Sequence, residues 1–358
     1  MHDDITFACI MAGGVGKRFW PLSRRAIPKH LLSFFGDKTL LQETAERLAG
    51  VVGWDRILVV TTAAHVDLVS EQLPEIKKSA IIAEPVGRNT AACIALALRW
   101  LMVHGYDSSS VGFFPSDHLI PERASFATCF QRAIGTSRTG GIVVFGIAPS
   151  TPETGYGYIE TGEAHDSSHS VWRVAAFHEK PDYDTAEEWI RSGGYFWNSG
   201  MFVARVDYFW DELSRFLPKI TDGITAFGNE LSNNELAKHR EAYASLESIS
   251  IDYGVMERST NLYMITGDFS WDDLGSWEAV STYWEGDGTN KRKGSQSVII
   301  DSSDCRIYST DKLVAVMGME DTIVVQSDDA VLVCPRRYAQ NVKKLVQFLE
   351  EHGYDSYL

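Results

Sequence analysis

Short apolar runs alternate with helical patterns along the first 150 residues, and this alternation constrains the fold more than any other feature. Each run is rich in β-branched and aromatic residues, whereas the segments between the runs place apolar residues at helical spacing. The predicted strands are residues 5–11, 56–62, 80–84, 111–114 and 142–145. The sequence therefore predicts an α/β fold with a Rossmann-like, mostly parallel mixed sheet flanked by helices.

The pattern changes twice after residue 150. Residues 151–284 are rich in glycine and aromatic residues, and we expect them to form insertions built on the same sheet. After a predicted loop at 285–294, short β runs follow at residues 298–300, 306–308, 313–316, 322–325 and 330–333. Short strands separated by polar turns are typical of a β coil. A helix with one apolar face is predicted over residues 339–351.

These patterns predict two domains. Residues 1–287 form the larger α/β domain, and residues 288–358 form a small C-terminal β-helix-like domain that ends in a helix. The apolar face of that helix and the edges of the short strands both need cover. We therefore expect the small domain to mediate self-association, with a homodimer as the result.

Composition and charge exclude several classes of partner. The chain has 33 Lys and Arg against 48 Asp and Glu, which gives a formal net charge of −15. A surface this acidic repels nucleic acid and anionic lipid, so we expect neither as a partner. The five cysteines lie far apart without zinc-site spacing, and no basic segment precedes an apolar leader. We therefore expect a cytoplasmic protein with reduced thiols.

A glycine-rich loop with several cations follows the first predicted strand. Its glycines are Gly13, Gly14 and Gly16. Glycine lets a backbone bend sharply and brings N–H groups close to phosphate oxygens, while Arg18, Arg24 and Lys29 supply positive charge. The spacing matches neither the dinucleotide-binding fingerprint nor the P-loop motif. The loop therefore predicts a phosphate-binding cradle of another kind.

Further motifs follow the glycine-rich loop in a fixed order. They are Gly-Gly-Val-Gly-Lys-Arg at 13–18 with Trp-Pro-Leu-Ser-Arg at 20–24 and Pro-Lys at 28–29, Glu-Pro at 84–85 with Arg-Asn-Thr-Ala at 88–91, Pro-Ser-Asp-His at 115–118, Thr-Gly-Tyr-Gly-Tyr-Ile at 154–159, Phe-His-Glu-Lys-Pro at 177–181, Trp-Asn-Ser-Gly-Met-Phe at 197–202, Ser-Ile-Asp-Tyr at 250–253 and Trp-Asp-Asp-Leu-Gly-Ser-Trp at 271–277. Together they resemble the nucleotide-sugar pyrophosphorylase family, in its guanylyl branch. Val15 and Lys17 depart from that family, which usually has Ser and Thr there.

The resemblance implies both a fold and a reaction. The fold is that of the nucleotide-diphospho-sugar transferases, with residues 1–287 as the nucleotidyltransferase catalytic domain. The reaction is transfer of GMP from GTP to α-D-mannose 1-phosphate by Mg²⁺-assisted in-line attack on the α-phosphorus, giving GDP-mannose and pyrophosphate. Because nucleophile and leaving group are both anions, alignment and charge neutralisation should dominate. Two alternatives stay open: transfer to another hexose 1-phosphate or from another nucleotide, and an inactive regulatory subunit that binds nucleotide-sugar.

The resemblance also implies roles for individual residues. Asp117 and Asp273 would hold Mg²⁺, and Arg18 and Lys29 would act as catalytic cations on the triphosphate, whereas Lys17 and Arg24 are expected to be exposed. The nucleotide-binding residues would be Met11, Ala12, Gly13, Gly14, Gly16, Glu84, Arg88, Asn89, Thr90 and Ser116. The sugar-phosphate residues would be Gly157, Glu179, Lys180 and Asn198. A carboxylate at Glu84 also matches the adjacent N1–H and N2 amine of guanine, which makes it the predicted reader of the base.

Overall fold

The computed structural model describes residues 5–166, 170–294 and 296–358. Contacts within the chain divide it into two compact units, which we call the sheet unit and the coil unit. The sheet unit comprises Met1–Gly13, Gln42–Ser116 and Ile120–Trp271, and the coil unit comprises Gly14–Leu41, Asp117–Leu119 and Asp272–Leu358. These units group residues in space, and the predicted domain boundary after residue 287 stays a prediction.

The first 271 residues contain nine strands and nine α-helices in the described part of the chain. The strands are β1 Thr6–Ala12, β2 Ile57–Thr62, β3 Ile81–Glu84, β4 Ser110–Pro115, β5 Ile142–Ile147, β6 Gly157–Ala164, β7 Val171–Glu179, β8 Tyr195–Arg205 and β9 Leu262–Thr266. The helices are α1 Leu40–Val52, α2 Val66–Gln72, α3 Asn89–Val103, α4 Arg123–Ser137, α5 Tyr183–Ser192, α6 Val206–Phe216, α7 Pro218–Thr225, α8 Asn233–Lys238 and α9 Arg240–Ala244. All five predicted strands are therefore confirmed.

These strands form one sheet in the order β3-β2-β1-β4-β8-β5-β9-β7-β6. β1 pairs in parallel with β2 and β4, β2 with β3, and β5 with β9. β8 runs antiparallel to β4 and β5, and β7 runs antiparallel to β6 and β9. Only β7 and β8 thus oppose the common direction, which confirms a mixed, mostly parallel sheet. Residues 151–284 contribute β6 to β9, so the middle of the chain is built on the same sheet, as predicted.

The sheet unit is stabilised where α3 packs on the sheet. Residues 91–98 of α3 are all buried, because apolar side chains surround the helix instead of forming one stripe. The helix contacts β1 and β2 as well as α6 and α7. Each large apolar side chain buried this way contributes roughly 1.5–3 kcal/mol. β1, β3 and β4 run parallel to one another, so their carboxyl ends, at Ala12, Glu84 and Pro115, lie at one edge of the sheet.

The coil unit contains the remaining strands and helices of the described chain. They are α10 Trp277–Ser281, β10 Glu285–Asp287, β11 Asn290–Gly294, β12 Ser297–Ile300, β13 Arg306–Ser309, β14 Val314–Met317, β15 Thr322–Gln326, β16 Val331–Pro335 and α11 Val342–Glu351. β11, β13 and β15 pair in parallel, as do β12 and β14, which confirms the β coil. The predicted loop at 285–294 is wrong, because β10 and β11 form an antiparallel hairpin whose second strand pairs with β13.

An aromatic and aliphatic core joins the separate segments of the coil unit. Phe19 and Phe34 come from its first segment, Trp277 from α10, and Ile323 and Val346 from β15 and α11. The ring of Phe19 lies edge-on to Trp277, with centroids 5.1 Å apart. Phe19 directly follows the glycine-rich loop, so its packing in this core holds the end of the loop in place. Among the described residues, no helix is long and apolar enough to cross a membrane.

Candidate active site

The glycine-rich loop of the coil unit is held by contacts that require glycine. Gly16 has φ +74°, and a Cβ on it would lie 2.4 Å from the Cβ of Lys29. The backbone N–H of Lys29 donates to the carbonyl of Val15 at 3.0 Å, and the Ser23 hydroxyl donates to the carbonyl of Gly16 at 2.7 Å. Only glycine combines this left-handed conformation with so close an approach. The loop and Lys29 are therefore positioned together.

Lys29 forms the central ion pair of the coil unit. Its Nζ donates to Oδ2 of Asp117 at 2.8 Å and to the carbonyl of Asp273 at 2.7 Å. The Lys29 side chain is 7% exposed and that of Asp117 is 31% exposed. Burial would raise the pKa of the Asp117 carboxyl, but the charges of Lys29, His118 and His30 lower it to about 2. Asp117 is therefore a carboxylate at any physiological pH.

A short antiparallel bridge brings the two predicted metal ligands together. The N–H of Leu119 donates to the carbonyl of Asp272 at 2.9 Å, and the reverse bond measures 3.1 Å. Asp117 and Asp273 therefore lie on neighbouring segments. A Cβ on Gly275 would lie 3.0 and 3.1 Å from the two carboxylate oxygens of Asp273, so this glycine leaves the space that the carboxylate occupies.

Asp272 has a different environment from Asp273. Its Oδ1 accepts from the N–H of Leu274 at 2.7 Å, and its Oδ2 accepts from the Tyr283 hydroxyl at 3.0 Å. Leu274 itself has φ +49°, a conformation that non-glycine residues rarely adopt. Asp272 therefore shapes the turn that presents Asp273.

Except for Gly14, the predicted phosphate and metal residues of the coil unit line one pocket of about 350 Å³. Its walls are Gly16, Lys17, Arg18, Phe19, Lys29, Asp117, His118, Asp273, Leu274, Gly275 and Lys343. Arg18 donates from Nη1 to the carbonyl of Gly275 at 3.1 Å, which places its guanidinium close to the segment that carries Asp273. One pocket thus combines a glycine-rich backbone, cations and two carboxylates.

The donor set of this pocket suits a hard cation that also binds phosphate. The described residues contain no cluster of three or more His, Cys, Asp or Glu side chains that could hold a metal ion. Mg²⁺, however, is commonly bound through one or two carboxylates together with water and substrate phosphates. Asp117 and Asp273 fit that pattern, because both line a pocket whose other charged walls are cationic.

Lys17 and Arg24 were both expected to be exposed, but the structure shows this only for Lys17. Lys17 donates from Nζ to both oxygens of Glu350, on α11, at 2.8 and 2.9 Å, and its side chain is 44% exposed. Arg24 is only 14% exposed, which corrects the expectation for it. Its Nε donates to the carbonyl of Pro21 and its Nη2 to Asp329, so it ties the first segment of the coil unit to the loop after β15.

In the sheet unit, Glu84 lies at the carboxyl end of β3 and is 3% exposed. Its Oε1 accepts from the Tyr243 hydroxyl at 2.7 Å, and a Cβ on Gly13 would lie 3.4 Å from its Oε2. Burial raises the pKa of the Glu84 carboxyl to about 7, although the hydrogen bond from Tyr243 opposes the shift. A buried carboxyl group is therefore aimed at the end of β1.

The other predicted nucleotide-binding residues of the sheet unit lie in two places: at the carboxyl ends of β1 and β4, and at the start of α3. The N–H of Ser116 donates to the carbonyl of Met11 at 3.3 Å, so the ends of β1 and β4, with Ala12, are adjacent. Arg88 precedes α3, and its buried Nε has no hydrogen-bond partner among the described residues. Asn89 and Thr90 use their side chains locally: Asn89 accepts from the N–H of Thr90, and Thr90 accepts from that of Ile251, both at 2.8 Å.

The predicted sugar-phosphate residues form a second polar cluster in the sheet unit. Glu179 Oε1 accepts from Lys180 Nζ at 2.7 Å, while its buried Oε2 has no hydrogen-bond partner among the described residues. A Cβ on Gly157 would lie 2.4 Å from that Oε2, so a larger residue there would displace the Glu179 carboxylate. Asn198, on β8, donates from Nδ2 to Oδ1 of Asp252 at 2.9 Å. The structure thus brings together all four predicted residues.

Two residues of the sheet unit were missed by the sequence analysis. Asp252 joins the sugar-phosphate cluster, where burial and the neighbouring Glu179 raise its pKa to about 6, against the effects of Asn198 and Lys180. The motif at 250–253 contained it, but no pairing with Asn198 could be read from two segments 54 residues apart. Tyr243 lies in a stretch without any motif, and only its contact with Glu84 reveals it.

The class of protein follows from these features. A mostly parallel sheet, a glycine-rich loop with cations and a pair of carboxylates define a nucleotide-binding α/β protein. The chain matches the family model of the nucleotidyl transferases over residues 7–288. It also matches the model of the MannoseP isomerase/GMP-like beta-helix domain over residues 295–349.

Individual relatives narrow the class further. The chain is 39% identical over 353 residues to a mannose-1-phosphate guanylyltransferase from Escherichia coli, which covers 97% of this chain and 74% of the relative. It is 36% identical to the alginate biosynthesis protein AlgA from Pseudomonas putida, over 96% of this chain and 71% of that protein. A crystal structure described as mannose-1-phosphate geranyltransferase from Thermus thermophilus has a TM-score of 0.87 at 33% identity, covering 96% of this chain and 99% of that one.

The chain belongs to the nucleotidyl transferase family, within its mannose-1-phosphate guanylyltransferases. Members of this family act on nucleoside triphosphates and sugar phosphates, and they generally use a divalent metal ion. The resemblance drawn from the ordered motifs is therefore confirmed, and so is the predicted combination of a nucleotidyltransferase fold with a C-terminal β-helix domain.

Proposed function

We propose that this protein transfers GMP from GTP to α-D-mannose 1-phosphate, forming GDP-mannose and pyrophosphate with Mg²⁺ as the metal ion. An oxygen of the sugar phosphate attacks the α-phosphorus, the bond to the bridging oxygen breaks, and pyrophosphate leaves with the bonding electrons. The observation that carries the proposal is the pocket of the coil unit, where Gly16, Arg18 and Lys29 lie with Asp117 and Asp273. Its groups supply charge neutralisation, which is what this reaction needs most.

The coil unit carries the phosphate chemistry in this proposal. Asp117 and Asp273 hold the metal ion, which neutralises phosphate charge when it is bound. The cations Arg18 and Lys29 bind the triphosphate and offset the charge of the leaving pyrophosphate. The backbone N–H groups of Gly14 and Gly16 face the same anion. Asp117 is suited to its role because its lowered pKa keeps it ionised.

The sheet unit carries substrate recognition. For the nucleotide, Glu84 accepts from N1–H and N2 of guanine, with Met11, Ala12, Gly13, Arg88, Asn89, Thr90 and Ser116 around the nucleoside and its phosphates. For the sugar phosphate, Lys180 pairs with the phosphate, and Glu179, Asn198 and Asp252 recognise hydroxyl groups that approach Gly157. Supporting this, Glu179 has a buried oxygen without a partner in the described part of the chain, and a sugar hydroxyl would supply the missing donor.

Measurement of pyrophosphate release tests the proposal. The protein is assayed with Mg²⁺ over a matrix of nucleoside triphosphates and hexose 1-phosphates. We expect the highest kcat/KM for GTP with mannose 1-phosphate. A higher kcat/KM for another sugar or another nucleotide would show that the protein is a nucleotidyltransferase with a different substrate. Absence of pyrophosphate release with every pair would favour an inactive subunit that binds nucleotide-sugar.

We further propose that residues 1–287 form the catalytic domain and residues 288–358 a C-terminal domain that mediates a homodimer. Support comes from large apolar side chains on the described surface of that segment: Leu313 is 60% exposed, Met317 68%, and Val331 and Val333 58% each. Light scattering at micromolar concentration tests the dimer, and a monomeric mass would contradict it. The five cysteines are free thiols, which is consistent with the proposed cytoplasmic location.

A further inference from the structure

Tyr243 is a buried tyrosine whose hydroxyl donates a hydrogen bond to a buried carboxylate. The side chain lies on α9, is 0% exposed and donates to Oε1 of Glu84 at 2.7 Å. Its ring also packs in the core of the sheet unit, with its centroid 6.1 Å from that of Phe227. Packing explains the ring but not the hydroxyl, because phenylalanine would fill the same space.

The hydrogen bond gives the two oxygens of Glu84 different surroundings. Oε1 is held by Tyr243, whereas Oε2 approaches Gly13 at the end of β1. A carboxylate held at one oxygen has its plane restricted, so its remaining acceptor directions point consistently. Reading the adjacent N1–H and N2 amine of guanine requires such a defined plane, since both donors lie on one edge of the base.

The other polar groups around Glu84 do not stabilise its ionised form as the hydrogen bond from Tyr243 does. Cys9 on β1 and Cys93 on α3 also lie near the carboxyl, and burial raises the pKa of both thiols, so they are neutral. The guanidinium of Arg240, on α9, donates instead to the carbonyl of Pro85 at 2.8 Å. Among these neighbours, Tyr243 is the one that stabilises the ionised form of Glu84.

We propose that Tyr243 is a positioning residue for base recognition, whose hydroxyl orients the Glu84 carboxylate toward the Watson–Crick edge of guanine. The inference rests on the proposed function, because it requires a guanine nucleotide as substrate. It adds a specificity determinant that lies 159 residues from Glu84 along the chain and does not itself contact the nucleotide.

The substitution Tyr243→Phe tests the proposal, because it removes the hydroxyl and keeps the ring. At pH 7 we expect kcat/KM for GTP to fall roughly tenfold or more, the effect of losing a hydrogen bond to a charged group. We expect kcat/KM for ATP and KM for mannose 1-phosphate to be unchanged. The loss with GTP should shrink between pH 7 and pH 8.5, because Glu84 then ionises without help from Tyr243, and the ATP series controls for titration of the triphosphate.

Two further variants separate positioning from a structural role. Tyr208→Phe removes a hydroxyl that accepts from Asn261 at 3.2 Å elsewhere in the sheet unit, and it should leave the GTP to ATP ratio unchanged. In a Glu84→Gln background, Tyr243→Phe should have no additional effect, because it acts through that carboxylate.

The outcomes distinguish this inference from the proposed function. Two results would overturn the role of Tyr243 alone. One is an equal loss of kcat/KM with GTP and with ATP in Tyr243→Phe, and the other is an undiminished loss of kcat/KM for GTP when Tyr243→Phe is added to Glu84→Gln. A wild-type protein that does not prefer GTP would overturn the proposed function and this inference with it. If Tyr243→Phe folds poorly, the Glu84→Gln single variant decides: a GTP to ATP ratio that stays at the wild-type value would contradict the proposal, because Tyr243 acts through that carboxylate.

Discussion

Asp117 in the coil unit has an electrostatic environment opposite to that of Glu84 and Asp252 in the sheet unit. Asp117 bonds directly to the ammonium of Lys29, and its pKa is lowered to about 2. Glu84 and Asp252 bond to a neutral hydroxyl and a neutral amide, and burial raises their pKa values to about 7 and about 6. The carboxyl of Asp117 is thus ionised at any physiological pH, whereas the carboxyls of Glu84 and Asp252 titrate near neutral pH.

This difference separates two kinds of chemistry. A carboxylate that is always ionised suits a divalent cation and phosphate, because both interactions depend on full charge. A carboxyl that titrates near neutral pH suits recognition of neutral N–H and O–H donors, because each correct hydrogen bond also stabilises its ionised form. The low pKa of Asp117 therefore suits its proposed role in binding metal and phosphate, and the raised pKa of Glu84 suits its proposed role in accepting hydrogen bonds from the base.

The largest effects are expected at the two proposed metal ligands of the coil unit. Asp117→Asn and Asp273→Asn should each lower kcat about 10³-fold or more, because each removes a proposed metal ligand from a site that stabilises developing charge. Circular dichroism should be unchanged. Asp272→Asn is the matched control and should lose far less, since its side chain bonds to Leu274 and Tyr283. Retained Mg²⁺-dependent activity in either of the first two variants would contradict the assignment.

The lysines of the two units should differ in both kinetics and stability. Lys29→Ala should mainly impair use of GTP and also lower the free energy of unfolding by roughly 2 kcal/mol, less than the roughly 3–5 kcal/mol of a fully buried pair because Asp117 is 31% exposed. Lys180→Ala should mainly raise KM for mannose 1-phosphate with little change in stability, since Lys180 is 53% exposed. Steady-state kinetics with each substrate varied, together with melting curves, test whether Lys29 acts on GTP and Lys180 on mannose 1-phosphate. Equal defects on both substrates would refute it.

Base selection should depend on the sheet unit alone. Glu84→Gln replaces one acceptor by a donor that faces the guanine edge, so the preference for GTP over ATP should fall by about 1–3 kcal/mol, or roughly 5- to 150-fold. Dependence on Mg²⁺ should not change, because the proposed ligands lie in the coil unit. If the ratio of kcat/KM for GTP and ATP stays at the wild-type value, the base is read by other groups.

The pH dependence should follow the raised pKa and not the lowered one. The proposed contact with guanine uses the ionised form of Glu84, whose pKa is raised to about 7. We therefore expect kcat/KM for GTP to drop roughly tenfold between pH 7.5 and pH 6 relative to ATP. Asp117 stays ionised over this range. Its contribution to stability is present above its usual pKa and is lost as the pH falls through about 2, which acid unfolding would detect.

The smallest effect is expected at the exposed pair of Lys17 and Glu350. Both side chains reach solvent, so the pair should contribute less than about 1 kcal/mol. Lys17→Ala should therefore shift the midpoint of denaturant unfolding only slightly, and less so at high salt. A large loss of kcat would instead place Lys17 among the cations that act on the triphosphate.

Local patterns were sufficient for many of the strands and for part of the candidate site. Period-2 and helical patterns predicted the five strands from β1 to β5 and the β coil, because these depend on neighbours a few residues away. The ordered motifs located the loop, Asp117, Asp273 and Glu84. The hairpin of β10 and β11 was missed, since its charged strands carry no apolar signal and are defined by pairing with β13.

By itself, the sequence of this protein determined which residue types are available at each place: glycines after β1, a carboxylate at the end of β3 and another after β4, and an Asp-Asp pair at 272–273. Tertiary structure decided what those residues do. Gly16 is required because Lys29 packs against it. Arg24 pairs with Asp329, which is 305 residues away along the chain, and β8 lies between β4 and β5 because distant strands pair there. The ionisation of each carboxyl was also decided at this level. A pKa depends on burial and on the nearest charge, and for Asp117 that charge, on Lys29, lies 88 residues away along the chain.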